Sequence, residues 1–316
     1  MAASNSQWIR KLSLVAADQN GRGIDLGNFR VRFEVRRGDT ESPNTLVATI
    51  YNLSAQTSNK VGGEYSNITL QAGYENGSYG TLFVGNVKWT ERGKENSTDT
   101  FLRIGAGDGD EAYNFSVCNT TLAAGASAQD IMNAMTNAFV KQGVDKAEDL
   151  DKFVGVIPPE TLARGKVLFG MARSHMRDWA QKNGFRWSIQ NEKLVLVPVR
   201  GYRQREAVVI SSTTGMIGIP TANQNGVSVR CLMNPLIEVG CLIKIEQGDI
   251  NTLTVQQQGF RYQGLNVSAP TTKEGFYRVL VAEHTGDTRG QEWYTDITCL
   301  AVDISATASE SVAVPG

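Results

Sequence analysis

Residues 29–36, FRVRFEVR, decide the fold class. Four apolar side chains alternate with four charged ones, the period of two that a strand needs when one face is buried and the other meets water. Phe29, Val31, Phe33 and Val35 are expected to face a core, and Arg30, Arg32, Glu34 and Arg36 to face outward. The pattern recurs in TLVATIYNL (45–53), NITLQAGY (67–74), TLFVGNVKW (81–89) and TFLRI (100–104), with Gly, Asn and Ser clusters between the runs. Repeated short strands with turn signals predict an antiparallel sheet closed into a barrel or sandwich over residues 1–105.

Further along, the period changes. Ser127 stands three positions before Asp130 in a capping-box spacing, Ile131, Met135 and Phe139 recur at helical intervals, and Gly143 supplies a stop. A second helix is expected from Lys166 to Lys182, with Leu168, Met171, Ala172, His175 and Trp179 on one stripe and Asn183-Gly184 at its end. FRWSI (185–189) and LVLVPV (194–199) flank QNEK as a hairpin. Residues 106–213 therefore read as a small α+β domain with a return segment to the first barrel.

The stretch 214–245, TGMIGIPTANQNGVSVRCLMNPLIEVGCLIKI, passes from a glycine-studded apolar run to an alternating strand and then to a second strand after a turn. Gly215, Gly218, Pro220, Asn234, Pro235 and Gly240 are expected to form a domain junction, with Gly218 and Pro220 holding a fixed bend. From Val227 onward VSVRCL, CLIKIE, TLTVQ, FYRVLVAE and WYTDITCLAV return to strands, a second β domain over 214–304. The tail, 305–316, is small and polar enough to be loose unless a partner orders it. The fold class is mainly β with a small α+β insertion.

Composition bounds the function. With 31 basic and 32 acidic residues, a net charge of −1, the chain lacks the excess of a dedicated nucleic-acid binder. A conduit for DNA is compatible with that balance, because a conduit must not hold a polyanion tightly. No run approaches the roughly 18 to 20 apolar residues of a membrane span, so no membrane insertion is expected, nor is a signal peptide. Cys118, Cys231, Cys241 and Cys299 form no C-x-x-C pair and are expected to be reduced and buried.

Chemistry-bearing clusters are few. His175 lies on an apolar helical stripe, where packing explains it better than ligation. EHTGDTRG (283–290) brings Glu283, His284, Asp287 and Arg289 close in sequence, which a polar turn explains without catalysis. In GAGDGDEAY (105–113), Asp108, Asp110 and Glu111 are either loose calcium ligands or a solvated interdomain turn, and the turn is favoured. Arg30, Arg32 and Arg36 make a basic stripe that is a solvated face, a contact for an acidic neighbour, or a channel wall. No catalytic, cofactor or metal residue is assigned.

Taken together and in order, TLVATIYNLS, NITLQAGYENGSYGTLFVGNV, DGDEAYN, ARGKVLFGMARSHMRDWAQKNGFRWSI, TGMIGIP with GVSVRCLMNPLIEVG, and RVLVAEHTGDTRGQEWYT resemble the baseplate hub proteins of tailed bacteriophages across nearly the whole chain. The resemblance implies a tail-tube fold duplicated in one chain. Three copies would then present six barrels to a six-fold tail tube and a trimer to the central spike, around the channel through which DNA leaves. It implies a homotrimer in the virion baseplate, assembled in the host cytoplasm, with tail tube, central spike and other baseplate proteins as partners and no cofactor. Interface residues are expected on the first barrel at Ala48, Ile50, Tyr51, Leu82, Val84 and Val87. The sequence shows no wall-degrading segment and no β-helical needle like that of related secretion spikes. Alternatives are a tail-associated cell-wall hydrolase using His284 and Asp287, and a monomeric carbohydrate-binding β protein.

Overall fold

A computed structural model describes residues 7–148, 150, 161–199, 201–223, 226–245, 251–252 and 275–302. The first β region comprises β1 (Arg10–Ala17), β2 (Gly23–Asp25), β3 (Val31–Gly38), β4 (Thr45–Tyr51), β5 (Asn67–Tyr74), β6 (Tyr79–Lys94) and β7 (Thr100–Gly107), with the short helix α1 (Ala55–Lys60) after β4. Val31, Phe33 and Val35 are buried, as alternation predicts. Phe29 departs from that reading: its N–H is donated to the Leu26 carbonyl in a turn before β3, and the ring stays 37% exposed.

The middle of the chain forms α2 (Asp110–Phe115), β8 (Val117–Leu122), α3 (Ala128–Val140), β9 (Asp145–Lys146), β10 (Lys166–Met171), α4 (Ala172–Lys182), β11 (Phe185–Gln190) and β12 (Lys193–Pro198). The capping box at Ser127 and Asp130 is present, with both reciprocal hydrogen bonds made. Asn191 and Glu192, both at positive φ, close the β11–β12 hairpin in the twist that two-residue turns require. The helix expected from Lys166 is shorter than its stripe suggested, because residues 166–171 pair as β10 with β8. Val167 and Phe169 favour pleated backbone, and Gly170 at φ 126° cannot continue a helix, so α4 starts only at Ala172.

The last region holds β13 (Val208–Ile210), β14 (Met216–Asn223), β15 (Gly226–Leu232), β16 (Leu242–Ile245), β17 (Asn251–Thr252), β18 (Phe276–Asp287) and β19 (Trp293–Ala301). Of the strand expected in TLTVQ, residues 253–256 lie outside the described residues, as does the tail 305–316.

The β regions are joined rather than merely tethered. One sheet of fourteen described strands runs β17-β14-β15-β19-β18-β3-β4-β7-β6-β5-β1-β2, with β16 and β13 branching from β18. Along its first turns β18 pairs β16, and after a register shift between Val279 and Val281 it pairs β3 from Val281 to Asp287, with β19 along its other edge. A bulge of this kind bends a strand and lets it serve two partners. Buried side chains gather in a first cluster around Phe33, Leu70 and Leu102, in a separate core of the middle of the chain around Phe139, Met176 and Leu196, and in one around Tyr277 and Ile297.

Two closed barrels were expected, and the described strands make none: the strand order is open from β2 to β17. Around the first region a side chain spans the seam that a ladder would have closed. The Arg10 guanidinium, at the start of β1, donates to the carbonyls of Asp287 (3.0 Å), Gly290 (2.6 Å) and Gln291 (3.0 Å) in the β18–β19 turn, and lies 5.5 Å from the Trp293 ring centroid.

The residues expected at a domain junction divide in place. Gly215, Gly218 and Pro220 lie within β14 and its approach, where the β14–β15 register shifts between Ile217 and Thr221. Asn234 and Pro235 follow Met233, which is buried in the first core, and Pro235 packs over Gly80. Gly240, at φ 81°, lies so close to Val197 of β12 that a Cβ there would overlap it.

Gly218 has φ 73° with open space around it, so its requirement is conformational, not steric. Gly218→Val is expected to lower stability by about 1 kcal/mol or more in urea titration, through the positive φ alone. Phe33→Ala is expected to cost more, about 3–5 kcal/mol, because the ring is buried and packs edge-on against Trp293 at 5.6 Å.

Candidate functional site

Pleating sorts the shared sheet into two chemically distinct faces. On the outward face, register aligns Arg230 of β15 with Asp296 of β19, Asp296 with Glu283 of β18, and Glu283 with Arg36 of β3. Arg230 grips Asp296 with two parallel hydrogen bonds of 2.7 and 3.0 Å, and Arg36 reaches Glu283 at 3.0 Å. Farther along the same face Arg32 approaches Glu292 at 3.5 Å, and Arg103 of β7 meets Glu91 of β6 at 3.1 Å. The basic stripe on β3 therefore has its acidic neighbour within the same chain.

Between these charged positions the face carries apolar side chains. Val47 is 38% exposed and sits opposite Gly105, and the indole of Trp89 covers Gly105, where an added Cβ would overlap the ring. Beside the Arg230 end, Ile217 and Ile219 of the β14 bulge wall a groove of about 540 Å³ that includes Arg36, Glu283 and Asp296. This combination of paired charge and exposed apolar groups on a rigid sheet suits contact with a macromolecule rather than a small substrate.

His284 and Asp287, close in sequence, are not brought together. They stand three residues apart on β18 and so point to opposite faces. His284 is fully buried, its Nδ1 lies 2.9 Å from Thr295 Oγ1, and among the described residues its Nε2 has no partner. Burial, with Arg37 nearby, pushes its pKa down to about 3, so the ring is neutral. Burial works against the Asp287 anion, but hydrogen bonds from Arg30 (2.8 Å) and the N–H groups of Arg289 and Gly290 (2.9 Å each) hold the carboxyl below its ordinary range. Asp287 shapes a turn, and the side chain that ties it is Arg30.

The acidic segment is only partly a solvated turn: Glu111 is exposed and Asp110 half-buried, but Asp108 is not solvated. Asp108 is buried and accepts hydrogen bonds from the N–H groups of Asn191 (2.6 Å) and Glu192 (2.8 Å) and from Asn44 Nδ2 (3.2 Å). Burial raises its pKa to about 7 against those donors. Asp110 pairs with Lys88 at 2.8 Å, so the carboxylates diverge. Among the described residues no group of three His, Cys, Asp or Glu is placed to hold a metal ion.

Asp108 belongs to a polar contact between the first β region and the middle of the chain that the sequence reading missed. Asn44 also donates to Ile189 O and Gln190 Oε1, and Gln190 accepts from Arg37 Nε and donates to Gly38 O. At its rim Asp39 pairs with Arg186 and Glu41 with Arg177. One signal was present: Arg37 breaks the alternation of FRVRFEVR by putting a second consecutive charge at an inward position, and it is 2% exposed.

The expected interface side chains require correction. Ala48, Ile50, Tyr51 and Leu82 are buried within the chain's own core, and Val84 and Val87 are half-buried. On β4 the exposed positions are Thr45 and Val47, and Thr49, on the same face, is buried. His175 is half-buried on α4, and the four cysteines are free and buried. No helix among the described residues is long and apolar enough to cross a membrane.

A family model described as Baseplate hub gp41 matches residues 46–255. No curated protein sequence matches. Among solved structures, the 43 kDa tail protein of prophage MuSo2 from Shewanella oneidensis has a TM-score of 0.55 at 6% identity, covering 92% of this chain and 96% of that one. A tail protein from Neisseria meningitidis MC58 has 0.54 at 9% identity, covering 92% and 96%. The E. coli c3393 protein, described as a type VI secretion component structurally similar to bacteriophage T4 tail proteins gp27 and gp5, has 0.51 at 10%, covering 95% and 80%. At these identities the likeness is one of fold.

The buried imidazole sets a pH dependence. Because its folded pKa lies below the ordinary value of about 6.5, the stability linked to His284 is present above that value and is lost as pH falls from there toward about 3. Asp108, raised to about 7, acts in the opposite sense over the same range, so the test is a difference: the urea midpoint of the wild type minus that of His284→Gln is expected to shrink from pH 7 to pH 4.

Proposed function

The chain belongs to the baseplate hub gp41 family of phage tail proteins, and from that premise we propose that three copies form a ring joining the six-fold tail tube to the three-fold central spike. The ring surrounds the DNA exit channel in the virion baseplate, after assembly in the host cytoplasm. Its partners are tail tube, spike and other baseplate proteins, and its role is structural.

The observation that carries this reading is the sheet continuous through β18, which holds two β regions side by side in one chain. Three such chains offer six β regions on one side while keeping three-fold symmetry on the other, which resolves a mismatch that a single-region subunit could not. Among the described residues the sheet is open at both ends, and open margins are satisfied by pairing or packing against a neighbour. Each pair of tube-like β regions completes its barrel in the ring, and the charged outward face is assigned to the passage. A hydrolase built on His284 and Asp287 finds no support, since the imidazole is fully buried on the opposite face of the strand from the carboxylate, where Asp287 cannot orient it and a substrate cannot reach it.

Light scattering of the purified chain is expected to give about three times the 34.4 kDa protomer. Particle imaging is expected to place the chain between tube and spike. A monomer in solution together with its absence from that position in virions would overturn the reading.

A further inference from the structure

We propose that the outward face of the shared sheet is a masked polyanion surface, on which arginines able to grip duplex DNA are neutralised in place so that DNA slides past. The proposal rests on the reading that DNA passes through the hub. Five arginines, Arg30, Arg32, Arg36, Arg103 and Arg230, stand on or beside this face with side chains 43% to 68% exposed, so a phosphate can reach each of them. Each one already has a carboxylate partner within the chain. Glu34, between Arg32 and Arg36 on the same face, adds a further negative charge.

The row across β15, β19, β18 and β3 shows that this arrangement is not simply one that favours folding. Its order is Arg230, Asp296, Glu283, Arg36, so two carboxylates face each other on neighbouring strands. Like charges directly opposite are destabilising in a sheet, at Cβ separations of about 4.5–5.5 Å. Alternating signs would bind the strands better. What the observed order does well is repel: a phosphate approaching either arginine must displace its carboxylate and also meets the adjacent one.

Affinity for DNA grows with the number of phosphates neutralised and counterions released. A paired arginine releases little on exchanging a carboxylate for a phosphate. The two arginines at the ends of the row are three interstrand gaps apart, roughly 14 Å, and become available together when the central carboxylates are removed.

The test measures anisotropy of a labelled 30-base-pair random duplex with the purified full-length chain across a salt series. Glu283→Gln with Asp296→Asn is expected to bind at least about tenfold more tightly than the wild type at low salt, with a log–log salt slope steeper by about 2, for two freed arginines. Adding Arg36→Ala and Arg230→Ala to that variant is expected to return binding to the wild-type level. Glu91→Gln with Glu292→Gln, at the other pairs on this face, provides a second unmasking if the first variant does not fold. A folded unmasked variant that binds DNA no better than wild type would sink the proposal, as would tight binding that survives loss of both arginines. These measurements use the free chain, so their failure counts against masking alone, whereas absence from the tube–spike joint counts against the hub reading alone.

Discussion

β18 is hydrogen-bonded along both edges, and the strands that flank it come from chain segments more than two hundred residues apart. A strand in that position cannot leave one β region without unmaking the other, because its N–H and C=O groups are committed to both. The bulge at Leu280 makes the double commitment geometrically feasible by turning the strand between its two sets of partners. Met233 and Trp293 extend the same coupling below the sheet, as residues of the last region buried in the first core. The two β regions consequently behave as one plate with a fixed relative orientation, which is what a structural hub requires of the surface it offers to a neighbour.

Most of the chemistry follows from which side of that plate a residue occupies. Arginines and carboxylates stand in water as matched pairs on one face, and the other face buries His284 and Arg37 among apolar groups. Exposed pairs of this kind contribute little to stability and are screened by salt. Their effect is on the local potential, where closed ion pairs leave a nearly neutral field; under the proposed reading that field faces a passing polyanion. Arg10 shows a different use of the same side chain, where three carbonyl acceptors in a turn replace the ladder that a closed sheet would have had.

The middle of the chain is attached on other terms. Its helices and hairpin share a core of their own around Phe139 and Leu196, and its contact with β3 and β4 is made of amides, carboxylates and guanidinium groups centred on Asn44, Asp108 and Gln190. Such a contact is specific because Asn44, Asp108 and Gln190 each meet defined partners, although Arg37 Nη1 and Asn191 Oδ1 are buried without one among the described residues. The strained, non-glycine hairpin turn at Asn191 and Glu192 is part of it, since the N–H groups presented there are the ones Asp108 accepts.

The sequence by itself determined the pleated segments, because alternation in 29–36 and its repeats reflects side-chain direction along a single strand, a purely local property. It likewise determined the capping box at Ser127, the hairpin at residues 185–199 and the neutral charge balance. It could not determine how many of the residues after Lys166 would be helical, since Leu168 and Met171 fit the helical stripe while Val167 and Phe169 fit an edge ribbon, and only pairing with β8 decides between them. Nor could it show which outward arginine meets which carboxylate, or that His284 and Asp287 part company, because these depend on register between strands distant in sequence. Those pairings, the sharing of β18 and the burial of Asp108 were decided only by tertiary structure, where long-range backbone hydrogen bonding fixes neighbours that no local pattern specifies.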